Sequence, residues 1–243
     1  MPSVDTVIIG GMSLWHTLLD LLFPPRCIIC RRPGTWLCVE CTPHLPYITG
    51  PVCQHCGEPL SHGTVCRRCR QTPLRLEGIR SVLLYEGPVR DAVHRLKYRG
   101  GRTLAPPLGA LMATAWQQQP PEVDVIVPVP LHPRRLRQRG YNQAALLARE
   151  IGWRTGLAVN EEALCRTRAT PPQMRLNAAA RRQNIAGAFR CPDGSRLPPR
   201  VLLVDDVCTT GATLEACADA LRASGASLVW ALTLARTRHP PLR

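Results

Sequence analysis

Val201, Leu202, Leu203 and Val204 form an apolar run that ends in two adjacent carboxylates, Asp205 and Asp206. Val207 and Cys208 follow, then Thr209, Thr210, Gly211, Ala212 and Thr213, and then a stretch with helical spacing. The pattern is a buried strand, a tight turn of small and hydroxyl residues, and a helix. A helix N-terminus offers free N–H groups and the positive end of a dipole, which suits a phosphate dianion. Gly211 lets the backbone approach such a group closely. Thr209, Thr210 and Thr213 add hydroxyl donors. The carboxylates accept hydrogen bonds from vicinal sugar hydroxyls, and burying them unpaired is costly, so solvent, a sugar or a metal must meet them.

A second chemistry is written in the cysteines. Eight of the twelve fall in four C-x₂-C pairs: Cys27/Cys30, Cys38/Cys41, Cys53/Cys56 and Cys66/Cys69. Each pair places two sulfurs on one knuckle, and two knuckles complete a tetrahedral thiolate shell. Four knuckles make two sites, with no open coordination position, so about two structural Zn²⁺ ions are expected. Sequential pairing closes the shorter loops, but an interleaved pairing satisfies the same count. A module this small needs its metals to fold. Disulfides belong to secreted chains, and the N-terminus, with Asp5 and Asp20 and no basic residue before Arg26, does not read as a secretory signal. The remaining cysteines, Cys165, Cys191, Cys208 and Cys217, are isolated in sequence and are expected to stay free of metal.

The chain of 243 residues carries 31 basic and 17 acidic side chains, a formal charge of +14. That balance favours anionic partners such as phosphates, nucleotides or nucleic acid. Thiolate sites loaded with zinc lower the charge but leave the chain basic. Lys97 is the single lysine; every other basic residue is an arginine, so arginine richness alone says little about binding. No run of 18 apolar residues exists to span a membrane. Residues 13–23 have the spacing of a short amphipathic helix, expected to pack on the protein itself. A cytoplasmic location is expected.

Several elements must position these groups. Composition changes near Thr72 and Pro73, giving a helix and zinc-binding module over 1–76 and a second domain over 77–243. Residues 79–85 read as a strand, and Val89, Ala92, Val93 and Leu96 have helical spacing. Lys97 then stands at a helix end, free to point into a cleft. Residues 104–116 read as a helix, 123–129 as a buried strand, 130–140 as an arginine-bearing loop and 141–151 as a helix. The stretch 166–182 is basic and lacks any acid. Residues 186–190 read as a short strand, 201–204 as a strand, 213–224 as a helix and 228–234 as a strand. Alternating strands and helices predict an α/β domain with a mostly parallel sheet covered on both faces, and a ligand beyond the carboxyl ends of its strands.

The 201–213 run resembles the phosphoribosyl pyrophosphate (PRPP) motif of type I phosphoribosyltransferases. The double cysteine module, Leu96-Lys97-Tyr98, Val127-Pro128-Val129-Pro130, Arg139-Gly140-Tyr141-Asn142-Gln143, and the set Arg166, Arg168, Gln173, Arg182, Asn184 and Phe189 together resemble the ComF family. That family couples a zinc-binding N-terminal module to a type I phosphoribosyltransferase-like domain and is associated with competence, DNA uptake and DNA utilisation. The resemblance implies that Asp205 and Asp206 hold the ribose hydroxyls. Thr209, Thr210, Gly211, Ala212 and Thr213 would hold the 5′-phosphate. Residues 129–140 match the pyrophosphate loop and 166–182 the flexible loop. Lys97, Arg135, Arg139, Arg168 and Arg182 are therefore candidates for the diphosphate, with Mg²⁺ bridging diphosphate and ribose. Cys208 stands where the motif commonly carries an apolar residue, and reads as a small packing group.

Two function classes follow. One is a transferase, a pentosyl glycosyltransferase that displaces pyrophosphate from PRPP, with no side chain standing out as a general base. The other is a non-catalytic factor that handles single-stranded DNA or senses PRPP on the same fold. The partners expected are PRPP or a phosphoribosyl nucleotide, with single-stranded DNA or DNA-uptake proteins as further candidates. No segment identifies an acceptor base.

Overall fold

The computed structural model describes residues 24–98, 101–168, 185–194 and 196–238. Residues 13–23 and 169–184, with Gln173, Arg182 and Asn184, lie outside the described residues. The chain divides into two compact units, Met1–His44 and Leu45–Arg243. The division falls inside the stretch read above as one N-terminal module. In the smaller unit, the knuckle at Cys27 and Cys30 is closed by a bridge between Arg26 and Pro33, and a short 3₁₀ turn spans Thr42–His44. In the larger unit, the knuckle at Cys53 is closed by a bridge between Val52 and Pro59. The fourth knuckle runs into helix α1 (Arg67–Gln71), where the Cys66 sulfur caps the helix by accepting from the Cys69 N–H.

Five strands of the larger unit make one sheet: β1 (Gly78–Leu84), β2 (Val125–Pro128), β3 (Ala158–Val159), β6 (Arg200–Cys208) and β7 (Leu228–Arg236), in the order β1-β7-β6-β2-β3. Every pairing is parallel. Such a sheet is buried on both faces, and Val201, Leu202, Leu203 and Val204 are fully buried. On one face Val125, Val127, Val201, Leu203, Val229 and Ala231 cluster with Leu214, Ala218 and Leu221 of helix α6 (Ala212–Ala223). Ile126 belongs to the alternate register and meets helix α5 (Gln143–Thr155), where Gly152 lies close to its Cδ1. Helix α3 (Ala105–Gln118) packs beside α5, with Gly109 accommodating Glu150. Helix α2 (Gly87–Lys97) follows β1 and buries Val89, Ala92, Val93 and Leu96, the four positions marked by their spacing. A separate two-stranded antiparallel ribbon joins β4 (Cys165–Arg166) to β5 (Phe189–Arg190).

The structure departs from the sequence reading at residues 130–140. A loop was expected; helix α4 (Pro133–Arg139) is present. Three local features make it. Pro133 takes the first helical position, where its missing N–H costs nothing. His132 caps the helix by accepting from the Arg134 N–H. Gly140 ends it in the left-handed region at φ 78°, as a C-terminal glycine commonly does. The central strand also runs further than expected, through Asp205 and Asp206 to Cys208. The carboxylates thus sit on the strand's last turns of pleat rather than on the loop after it.

The sheet order carries a functional consequence. From β2 the chain moves outward to β3, and from β6 it moves the other way to β7. The crevice beyond the carboxyl ends of β2 and β6 is therefore the switch point, where open α/β sheets take their ligands.

Candidate functional site

The eight knuckle sulfurs gather into two groups: Cys27, Cys30, Cys38 and Cys41, and Cys53, Cys56, Cys66 and Cys69. The pairing is sequential. Within each group all four sulfurs lie within 4.8 Å of one another. A tetrahedral zinc with bonds of about 2.3 Å has a sulfur–sulfur edge of about 3.8 Å; the pairs Cys30/Cys38 and Cys56/Cys66 are each 3.7 Å apart. Both groups thus have the size and donor set of a closed zinc site. In the second group the Cys66 N–H donates to the Cys53 sulfur at 3.4 Å, and the Cys69 N–H to the Cys66 sulfur at 3.4 Å, which fixes how those sulfurs face the centre of the group. A hydrogen bond from Cys69, the backbone near Glu58 and the Arg236 guanidinium hold the Cys56 thiol down at about 4. The same hydrogen bond, with burial, pushes the Cys69 thiol the other way.

Beyond the carboxyl ends of β2 and β6 lies a cleft of about 710 Å³. Asp205, Asp206, Val207, Thr209 and Thr213 form its floor, and Lys97, Arg135, Arg139 and Arg166 supply its cations. Lys97 ends α2 and reaches across to Asp206, with Nζ 2.7 Å from Oδ2. Asp206 is buried, and its backbone N–H donates to the Asp205 carboxylate at 2.8 Å. Burial, followed by the adjacent Asp206 charge, pushes the Asp205 carboxyl well above the usual carboxylate range. Burial by itself would lower the Lys97 ammonium, but Asp206 and then Asp205 outweigh it and hold it above its ordinary value.

The turn after β6 is shaped by local bonds. Thr210 is buried and its hydroxyl accepts from the Ala212 N–H at 3.4 Å. Gly211 stands at φ 82° and begins α6. The opposite wall is α4. The Arg139 guanidinium hydrogen-bonds to Gln143 and stacks over the Tyr98 ring, its carbon 5.1 Å from the ring centre. Burial and then the nearby Arg135 charge lower Arg166. The floor of this wall is fixed by Asn142, which donates to the Val129 carbonyl at 3.0 Å and caps α5 through the Ala144 N–H. Tyr141 donates to the Leu96 carbonyl at 2.8 Å, tying α5 to the end of α2 beside Lys97.

The double zinc ribbon domain family matches residues 18–70. The DNA utilization protein YhgH of Escherichia coli is 34% identical over 233 residues, covering 89% of this chain and 99% of that protein. The chain belongs to the ComF family. Its ComF relatives include the competence protein ComFC of Bacillus subtilis, 30% identical over 87% of this chain and 89% of that protein. Competence protein F of Haemophilus influenzae is 31% identical over 87% of this chain and 96% of that protein. Among solved structures, the glutamine PRPP amidotransferase of Bacillus subtilis is similar at 20% identity and a TM-score of 0.41, over 58% of this chain and 30% of that one.

The ComF chain's N-terminal part is thus a zinc ribbon with two Cys₄ sites, followed by a parallel sheet flanked by helices. Of the cleft candidates, Lys97, Arg135, Arg139, Asp205, Asp206, Thr209 and Thr213 line one space. Thr210, Gly211 and Ala212 shape the turn beneath it. Arg168 donates to the Ala186 carbonyl at 2.7 Å, beside the β4–β5 ribbon; Arg182 is outside the described residues. Sequence reasoning assigned no role to Tyr85, Tyr98, Gln138 or Gln143, all of which line the cleft. Tyr98 and Gln143 stood in the quoted motifs, adjacent to Lys97 and four residues after Arg139. Cys208 is buried, its thiol pushed up to about 11 by burial, as befits a packing group. Among the described residues no helix is long and apolar enough to cross a membrane.

Proposed function

We propose that this ComF protein binds a 5-phosphoribosyl ligand, PRPP with Mg²⁺, in the cleft and acts in DNA uptake or DNA utilisation. The observation that carries the reading is the juxtaposition of Asp205 and Asp206 with the 209–213 turn, at the switch point of the sheet and under a wall of guanidinium groups. In this reading Asp205 and Asp206 accept from the ribose 2′- and 3′-hydroxyls. Residues 209–213 receive the 5′-phosphate at the N-terminus of α6. Lys97, Arg135 and Arg139, joined by Arg168 and Arg182 from the flexible loop, meet the diphosphate. The cellular role is supported by relatives named for competence and for DNA utilisation.

Transfer to an acceptor would break the bond between the anomeric carbon and the diphosphate oxygen, with the electron pair leaving on pyrophosphate. The developing charge on that oxygen is what fixed guanidinium groups stabilise. Titration calorimetry with PRPP and Mg²⁺ tests the binding; a screen of nucleobases for pyrophosphate release tests the transfer. Binding with release for one base supports a transferase. No PRPP binding by the wild-type protein overturns the assignment of the turn.

A second reading draws on the cleft mouth, where half-exposed Tyr98 stacks with Arg139 beside Arg135. An aromatic ring among cations suits single-stranded DNA, and the protein would then handle DNA or sense PRPP without turnover. Binding of PRPP with no release for any base favours it.

A further inference from the structure

The second Cys₄ group lies in the same compact unit as the cleft, and two chains of contact run from it to the 209–213 turn. The first passes through Arg236. This arginine ends β7 and is fully buried. One of its terminal nitrogens donates to the Cys56 carbonyl and the other pairs with Glu58, so both partners belong to the knuckle of the second group. In the sheet Arg236 is in register with Cys208, and the next residue, Thr237, donates its N–H to the Cys208 carbonyl at 3.1 Å. Cys208 is the residue before the turn.

The second chain passes through Ile79. Gly57 of the same knuckle stands at φ +72°, and a side chain there would run into the Ile79 carbonyl. The Ile79 N–H donates to the His55 carbonyl at 2.8 Å. On its other side, Ile79 Cδ1 lies 3.2 Å from where a Cβ on Gly211 would be. The knuckle at residues 53–58 therefore abuts β1 and β7, and Ile79 of β1 and the end of β7 reach the turn that begins α6.

We propose that the second Cys₄ centre, acting through Arg236 and Ile79, holds the 209–213 turn in shape, and that the turn is ordered only while that centre carries its metal. Arg236 is then a positioning residue for the site, and the second zinc conditions it. A Cys₄ knuckle owes its fold to its metal. When the knuckle loosens, Arg236 loses its carbonyl and carboxylate partners, and a buried guanidinium cannot stay unpaired. It must move, and it takes the end of β7 and the Cys208 contact with it. The first group, whose four sulfurs all belong to the smaller unit, serves as the control. The importance of the turn for phosphate rests on the function proposed above; the coupling itself does not.

Hydrogen exchange followed by mass spectrometry on the full chain tests the coupling, with zinc measured by elemental analysis. Cys66→Ser should lose one zinc and speed amide exchange across 208–213 by about tenfold or more, as expected when a local unit opens, while α3 exchanges as before. Cys38→Ser should also lose one zinc yet leave 208–213 unchanged. Glu58→Gln keeps all eight cysteines; it should retain two zincs and still speed exchange in the turn, by about threefold. Unchanged exchange in Cys66→Ser, or equal acceleration in Cys38→Ser, overturns the proposal. If Cys66→Ser accelerates α3 as well, Glu58→Gln decides, and an unchanged turn there overturns it. Titration of the wild type with ribose 5-phosphate is run alongside: failure to bind sinks the phosphoribosyl reading alone, because the exchange pattern is read without ligand.

Discussion

Lys97 is the one lysine among 31 basic residues, and its ammonium meets a buried carboxylate at 2.7 Å. A compact ammonium fits that point contact; a planar guanidinium fork does not. Lys97→Arg should therefore weaken PRPP binding by more than about 1 kcal/mol, the scale of one charge-assisted contact, as read by calorimetry. Asp205 makes the complementary case. Its folded-state carboxyl titrates above the unfolded value because of burial and Asp206, so the folded protein binds its proton more tightly. Ionising Asp205 therefore costs stability, a cost that is complete above the raised value and falls away as pH drops from there to the ordinary carboxylate range. Asp205→Asn should melt at a higher temperature than wild type at pH 7, with the advantage shrinking on acidification, while PRPP affinity falls. Lys97 has the opposite sense: its raised value contributes stability that is complete below the ordinary lysine range and is lost as pH rises through the folded value. A melting series into the alkaline range, wild type against Lys97→Met, reads that difference. The aspartates and the lysine were legible in the sequence because charge at a strand end is conspicuous; the bond between Lys97 and Asp206 was not, since it joins elements distant in the chain.

At the level of elements, α4 shows what periodicity misses. A seven-residue helix offers no repeat of apolar positions, and none of its residues is buried, so only its caps could have announced it. Pro133 and Gly140 were such signals, and the density of arginines between them reads equally well as a loop. The turn before α6 was legible because its chemistry is dense: acids, hydroxyls and a glycine in nine residues. Its geometry yields a sharp expectation. Gly211 stands at φ 82° with Ile79 Cδ1 at 3.2 Å from any added Cβ. Gly211→Ala should destabilise the protein by about 1–2 kcal/mol, the cost of a side chain in the left-handed region, and weaken PRPP binding, as denaturant titration and calorimetry will measure.

For the whole molecule, the ligand count predicts about two zinc ions per chain; elemental analysis finding one or none would remove the double ribbon. A matched set of variants separates the two functional readings. Asp206→Asn should lower PRPP affinity but leave DNA binding intact or slightly stronger, because DNA affinity follows phosphate neutralisation. Arg135→Ala with Arg139→Ala should reduce DNA binding and its salt slope if α4 touches DNA. The parallel α/β layout could be read from alternating patterns, but the strand order could not, since nothing local in β1 says that its neighbour is β7. That neighbour relation has a consequence for how the protein is made. Ser81 of β1 shares a hydroxyl contact with Thr233 of β7, 152 residues further on. At a synthesis rate of about 5–20 residues per second, β1 leaves the ribosome roughly eight to thirty seconds before its parallel partner β7 exists. During that interval its apolar edge is a template for stray pairing, and a chain cut short before residue 228 never covers it. Such a truncated chain would carry that unpaired edge for good, an opening for aggregation and for proteases.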